Sequence, residues 1–200
     1  PRVEKKQETI NSSSTTITSA NAGGSLENVT PLKPMVTIEA LNKKGNVKVL
    51  IRAAVDTCSD RAMITVRLKE KLKLKSRYVD LETTTFSGHA GPRPLGEVTV
   101  TIKPHFSGDF RLKVEALVYE TLIGKSARVN SALILPNKLA EGIQVADYDF
   151  DKDAEIDMIL GTAEYAAILK NGMIRLDENL ILQNSELGYF LAGQIPKKQQ

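Results

Sequence analysis

The sequence has little of what disulfide-bonded, metal-binding and membrane proteins depend on. Its 200 residues include one cysteine, which excludes an internal disulfide and fits an intracellular, reducing setting. That cysteine and two scattered histidines make no zinc ligand set, so we expect no metal and no cofactor. No apolar run approaches the roughly 18 residues of a membrane span, and no signal peptide is visible. We therefore expect a cytoplasmic domain without membrane contact.

The charge of the chain is modest and unevenly distributed. The net charge of +3 is too small to imply nucleic-acid binding by itself. Residues 67–77 hold six basic residues and one glutamate, a balance of +5, so the rest of the chain carries 3 − 5 = −2. Such a run usually forms the wet face of an amphipathic helix, and no aromatic residue interleaves it. We expect no nucleic-acid binding by this domain, and keep it only as a third hypothesis.

Composition divides the chain into a linker, one domain and a tail. Residues 1–30 are rich in Ser, Thr, Asn and Gly and lack aromatic residues, which predicts a disordered linker. With 42% hydrophobic residues, 31–195 can bury one sizeable core, and 196–200 reads as a tail. The first residue is not Met, which suggests an excerpt of a longer chain or a processed product.

The domain is predicted to be mainly β, with one or two short helices. Alternation and turn residues predict a hairpin over 35–55, a second hairpin over 78–104 with a Gly-rich tip, and strands at 110–120, 156–161, 173–182 and 187–193. Helices are predicted after a Thr65 cap and over 162–172, with Thr162 as cap and Gly172 as stop. Residues 121–154 are hard to read and are left open as an insertion. Their acidic end fails as a calcium loop, because Lys152 stands where Gly is needed.

The most informative stretch is "AAVDTCSDRAMIT", residues 53–65. An apolar strand runs into Asp56, and two hydroxyl residues flank a cysteine before the chain turns apolar again. Alone, such a cluster is most often a turn. It gains meaning from three later segments of the chain: the Gly-rich tip "FSGHAG", then "IDMILGTAEYAAIL", and the closing "NSELGYFLAGQI".

This order resembles the retropepsin class of aspartic peptidases. More narrowly, residues 33–194 resemble the peptidase domain of Pao/BEL-type LTR retrotransposon polyproteins, and the ordering is also similar to the retropepsin domain of ubiquitin-shuttle proteins. The resemblance implies a retropepsin-like (acid protease) fold, a closed β-barrel-like structure that works as a homodimer. It implies an aspartic endopeptidase that processes a retrotransposon polyprotein inside the cell, virus-like particles included.

The resemblance also assigns roles to residues. Asp56 would be the catalytic carboxylate, braced and tuned by Thr57 and Ser59. The substrate-binding flap would consist of Phe86, Ser87, Gly88, His89, Ala90 and Gly91, and the supporting strand would include Ile159, Leu160 and Gly161. The other aspartates of the second half lack the hydroxyl residues that come after Asp56, so the second carboxylate would come from a second copy of the chain. Two close carboxylates can share one proton and activate water for peptide hydrolysis.

One position departs from the retropepsin pattern. Cys58 stands where the class usually has glycine, and a side chain there would crowd both the tight turn and an approaching substrate. This favours a second hypothesis, a catalytically silent dimerisation or peptide-binding module with the same fold. The sequence leaves both hypotheses open.

Overall fold

The computed structural model describes residues 29–84, 88–122 and 142–196. Predictions for the other residues, which include most of the linker, Phe86, Ser87 and much of 121–154, lie outside the described residues. Neither helix in the described part of the chain has the length and apolar character that crossing a membrane requires.

Ten strands and two short helices form the described structure. In chain order they are β1 Val29–Leu32, β2 Met35–Leu41, β3 Lys48–Val55, β4 Ala62–Thr65, α1 Val66–Lys71, β5 Glu97–Pro104, β6 Leu112–Tyr119, β7 Ile156–Leu160, α2 Thr162–Ile168, β8 Leu169–Asp177, β9 Leu180–Ser185 and β10 Phe190–Pro196.

The strands form a closed barrel and a separate four-stranded sheet. The barrel order is β2-β3-β7-β4-β6-β5, and the sheet order is β1-β10-β9-β8. Most pairs are antiparallel, but β3 pairs with β7 and β4 with β6 in parallel. The prediction of a mainly β structure with a closed barrel and two short helices is therefore confirmed.

Two of the three buried apolar clusters among the described residues correspond to these two units. The barrel core packs β-branched and leucine side chains from all six of its strands together with Leu68 and Leu72 of the α1 region. The smaller core lies against the four-stranded sheet and contains Phe150, Leu180, Leu182, Leu191 and Ile195. Both cores remove nonpolar surface from water, which is the main favourable contribution to folding.

Several predicted elements are confirmed by the structure. β2 and β3 form the first hairpin in antiparallel register, and β6 and β7 occupy the predicted segments. Thr65 caps α1, because its hydroxyl accepts the N–H of Leu68.

The prediction of a second hairpin is wrong for its first strand. Residues 78–83 form no strand, and Thr84 makes only an isolated bridge to Ala90. β2 pairs only with residues 101–104 of β5, and Arg77 bridges Glu97 on the part of that edge which β2 leaves open. Pairing along this edge ends after that single bridge, so 78–83 have no ladder to join.

The second helix is shorter than predicted and begins one residue earlier. Gly161 is its N-cap, because the Glu164 carboxylate reaches back to the Gly161 N–H at 3.0 Å. The Thr162 hydroxyl instead contacts the carbonyls of Thr57 and Ser59. Helix α2 ends at Ile168, and the predicted stop, Gly172, lies inside β8. Pairing of 169–177 with β9 overrides the helical preference of that segment.

The other differences concern strand bounds. Residues 173–182, predicted as one strand, span the turn between β8 and β9, and the short β4 was not predicted. β1 begins at Val29, two residues before the predicted start of the domain, and pairs with β10 from Val29↔Pro196 to Leu32↔Gly193. Both ends of the domain thus lie in one ladder.

Candidate active site

Asp56 begins the loop that connects β3 to β4. These two strands are not neighbours, because β7 lies between them, parallel to β3 and antiparallel to β4. The register pairs Val55 with Leu160. The loop must therefore cross the carboxyl end of β7, and this crossing places Asp56 directly above that end.

Four hydrogen bonds fasten this loop to β7 and α2, including a longer one of 3.2 Å from the Thr162 hydroxyl to the Ser59 carbonyl. The Asp56 N–H donates to the Leu160 carbonyl at 2.9 Å, and the Thr162 N–H donates to the Ser59 carbonyl at 2.9 Å. The Thr162 hydroxyl donates to the Thr57 carbonyl at 2.7 Å. The backbone polar groups of the loop are thus satisfied from behind, and the loop is held in one conformation.

Gly161 allows this close approach. A Cβ at this position would lie 2.6 Å from the Ser59 carbonyl oxygen and 3.0 Å from the Arg61 carbonyl carbon. Its φ of −85° is ordinary, so the requirement for glycine is one of space rather than of backbone conformation. Ile159, Leu160 and Gly161, predicted as a supporting strand, lie immediately behind the loop.

The Asp56 carboxylate is half-buried and partly held by its own loop. It accepts the Cys58 N–H at 3.0 Å, and the Ser59 N–H donates to the Asp56 carbonyl at 3.2 Å. The Ser59 hydroxyl donates to the Arg61 carbonyl at 2.8 Å and not to the Asp56 carboxylate. Ser59 therefore braces the loop, while Thr57 is exposed beside the carboxylate.

Cys58 fits this loop without backbone strain. Among the described residues, Lys73 is the only non-glycine residue with a positive φ, so Cys58 does not occupy a conformation that favours glycine. Its side chain is exposed. A side chain at position 58 is therefore compatible with the tight turn that the class usually makes with glycine.

A buried carboxylate next to the loop was not predicted. Glu97, at the start of β5, contacts Arg61 with one oxygen, and its other oxygen accepts the Arg77 Nε at 2.6 Å. Arg77 and Glu97 also exchange two backbone hydrogen bonds of 2.8 and 2.9 Å. The hydrogen bond with Glu97 raises the pKa of Arg77 above its ordinary value. Glu97 therefore connects the loop around Asp56 to the segment that leads into the predicted flap.

These charged side chains border an open cleft of about 500 Å³ beside the loop. Its lining is Asp60, Arg61, Ala62, Arg77, Glu97, Lys113, Glu115, Ala163 and Glu164. The cleft is polar and of mixed charge, so it is suited to backbone and charged groups rather than to a large apolar side chain.

The base of the predicted flap is a closed hairpin. Thr84 bridges Ala90, the Gly91 N–H donates to the Thr83 carbonyl at 2.7 Å, and the Thr83 hydroxyl donates to the Pro92 carbonyl at 2.8 Å. Burial raises the pKa of the Tyr119 hydroxyl, and a hydrogen bond with Thr83 opposes that shift. Gly88 and His89 are exposed near the tip. The chain that leaves the hairpin is held near the end of β6, where the Leu95 N–H donates to the Val118 carbonyl at 2.8 Å.

Among the described residues, no three His, Cys, Asp or Glu side chains converge on a position that could hold a metal ion. Comparison with known proteins does not assign the chain to a family, since no family model and no curated protein matches it. Support for a function therefore lies in the loop around Asp56 and its surroundings.

Proposed function

We propose that the chain is a retropepsin-like aspartic endopeptidase that works as a homodimer. The observation that carries this proposal is the supported loop at the end of β3. It holds the Asp56 carboxylate half-buried, with Thr57 and Cys58 exposed beside it. A rigid loop that presents a carboxylate at an accessible surface is what a pre-organised acid–base catalyst needs.

Peptide hydrolysis by carboxylates requires two of them. Two Asp56 side chains related by a two-fold axis would share one proton, because both cannot ionise cheaply at short distance. The ionised carboxylate would take a proton from water, whose oxygen attacks the carbonyl carbon. The protonated one would give its proton to the carbonyl oxygen. Collapse of the tetrahedral intermediate then breaks the C–N bond as the nitrogen is protonated, and the pair titrates as one unit.

The proposed flap, substrate and setting also depend on this dimer. The hairpin that includes Gly88, His89, Ala90 and Gly91 would close over a polypeptide substrate and exclude water. The substrate proposed here is the polyprotein of a Pao/BEL-type LTR retrotransposon, and the setting is the cytoplasm, virus-like particles included. These assignments rest on the order of motifs in the sequence.

A second candidate function is a dimeric, catalytically silent peptide-binding module. The exposed side chain of Cys58 favours it, because the backbone N–H of the same residue binds the Asp56 carboxylate, which a substrate backbone would approach. The fold and groove would be the same, but no bond would be cleaved.

The deciding experiment is cleavage of a mixed peptide library by the full chain under reducing conditions, from about pH 4 to pH 7. Protein concentration is set where sedimentation shows a dimer. Asp56→Asn removes the proposed catalyst with little change in shape, and Asp60→Asn is the matched control in the same loop. Cleavage lost only in Asp56→Asn supports the peptidase. No cleavage by the dimeric parent, with a gain in Cys58→Gly, supports the silent module.

A further inference from the structure

A run of alternating lysines comes shortly after β4. Of the six basic residues between 67 and 77, Arg67 contacts Glu155 and Asp157, and Arg77 contacts Glu97 and Glu115. The four between them form no ion pair with any residue that the structure describes: Lys69, Lys71, Lys73 and Lys75. Their positive charge is therefore available to a partner.

The packing of this segment turns the lysines toward solvent. Leu68 and Leu72 are fully buried in the barrel core, and Leu74 packs against it. Lys71, Lys73 and Lys75 are exposed between and after these anchors. Because the apolar side of α1 is already used by the core, the helix has no free apolar face to insert into a lipid bilayer.

Lys73 stands where a glycine would fit better. The Lys73 N–H donates to the Glu70 carbonyl and the Leu74 N–H to the Lys69 carbonyl, which is the hydrogen-bond pattern that ends many helices with glycine. The φ of Lys73 is +54°, a conformation that costs a residue with a Cβ about 1 kcal/mol. A lysine at a position whose backbone conformation favours glycine is the kind of exception expected at a functional surface.

An exposed aromatic ring follows the run of basic residues in the chain. Tyr78 comes directly after Arg77 and is 87% exposed, the largest exposure among the large hydrophobic residues that the structure describes. The absence of aromatic residues within 67–77 predicts that this run does not bind nucleic acid. Tyr78 lies at the end of that run, and its ring is accessible for stacking on a base.

We propose that Lys69, Lys71, Lys73, Lys75 and Tyr78 form a binding surface for single-stranded nucleic acid. The lysines would contact phosphates, and the tyrosine ring would stack on one unpaired base. This surface goes beyond the proposed peptidase and needs no Asp56. Because it reads no base edges, it would bind with little sequence preference.

The test is fluorescence anisotropy of a labelled oligothymidylate of about 12 nucleotides, titrated with the full chain at several salt concentrations. Four phosphate contacts predict a plot of log K against log salt with a slope of about −3. A triple variant, Lys71→Gln with Lys73→Gln and Lys75→Gln, should reduce the slope to about −1. The matched control removes the same charge elsewhere, at Lys33, Lys43 and Lys44, and should leave the slope nearly unchanged.

Tyr78→Ala tests stacking separately from charge. It should weaken binding of the single strand about fivefold or more, with the salt slope retained, whereas Tyr78→Phe should bind like the parent. Asp56→Asn should bind equally well, which separates this proposal from the peptidase.

Three results would overturn the proposal. One is no binding at low salt, and another is an equal loss in the Lys33/Lys43/Lys44 control. The third is equal competition by polyglutamate or by anionic vesicles together with no effect of Tyr78→Ala, which would show a general polyanion or lipid surface.

Discussion

The barrel and the four-stranded sheet bury their strands to very different extents. In the barrel, β7 is buried at all five positions, because it lies between β3 and β4. In the sheet, β8 is an edge strand whose first five residues are exposed. The candidate catalytic loop rests on the end of β7, the one described strand that is buried at every position. The barrel therefore provides the rigid support for the loop around Asp56. Substitutions at the exposed edge of the sheet should leave that loop unchanged.

The largest expected effect is from truncation inside the barrel. Leu160→Ala should lower the free energy of unfolding by about 2–5 kcal/mol, because Leu160 is fully buried and a cavity would remain. Met173→Ala on β8, where the side chain is 51% exposed, should change it by less than about 0.5 kcal/mol. Urea unfolding of both variants measures the difference, and similar losses would contradict the contrast between barrel and sheet edge.

A pair of glycine variants tests whether the sheet also has rigid points. Gly193→Ala should cost about 3 kcal/mol, because φ is +135° and a Cβ would overlap the Asn179 carbonyl oxygen. Gly161→Ala in the barrel should cost about 2 kcal/mol by steric overlap alone, and should displace the loop around Asp56. Thermal unfolding measures both losses. Hydrogen exchange of 56–61 should rise only in Gly161→Ala, and an equal rise in both would show that the two units are coupled.

The next prediction concerns the buried carboxylate of Glu97. Glu97→Gln should cost about 1–3 kcal/mol, since a charged partner of Arg61 and Arg77 becomes neutral in a buried position. Faster hydrogen exchange in 56–65 should accompany the loss. Glu186→Gln, which removes a longer ion pair of 3.5 Å between β8 and the end of β9, is the control and should leave that exchange unchanged.

The smallest expected effect concerns pH. The ammonium group of Lys103, 2.9 Å from the Glu39 carboxylate, lowers the pKa of Glu39 below its ordinary value of 4.5 despite desolvation. A lowered pKa in the folded state adds stability above the unfolded pKa, and this is lost as pH falls through the folded value. Glu39→Gln should therefore be less stable than the parent at pH 7 by under about 1 kcal/mol, with the difference vanishing in acid. A constant difference at all pH values would show that charge is not the cause.

The sequence predicted those parts of the fold that depend on local signals. The turn around Gly45 defines the first hairpin, and the Thr65 hydroxyl caps α1. The missed elements depend on distant partners. β4 is four residues long and exists because β6 and β7 flank it, while β8 forms because β9 is beside it. Such choices are made by tertiary pairing and leave little trace in local periodicity.

The candidate site was predictable only where a motif marks it. Asp56 and Gly161 belong to recognisable segments, and the structure brings these segments into contact. The connection of Arg61 to Arg77 through Glu97 had no signal, because three charged residues far apart in the sequence look like ordinary surface positions. Burial distinguishes Glu97 from the other glutamates that the structure describes.

The bond from the Thr162 hydroxyl to the Thr57 carbonyl joins residues 105 positions apart. During translation, Asp56 is synthesised long before the strand and helix that support it. Contacts of such high sequence separation form late and slowly, because the intervening chain must first be ordered. The carboxylate loop therefore takes its final shape only after synthesis has passed Thr162, so the timing of any chemistry at Asp56 is set by completion of the domain.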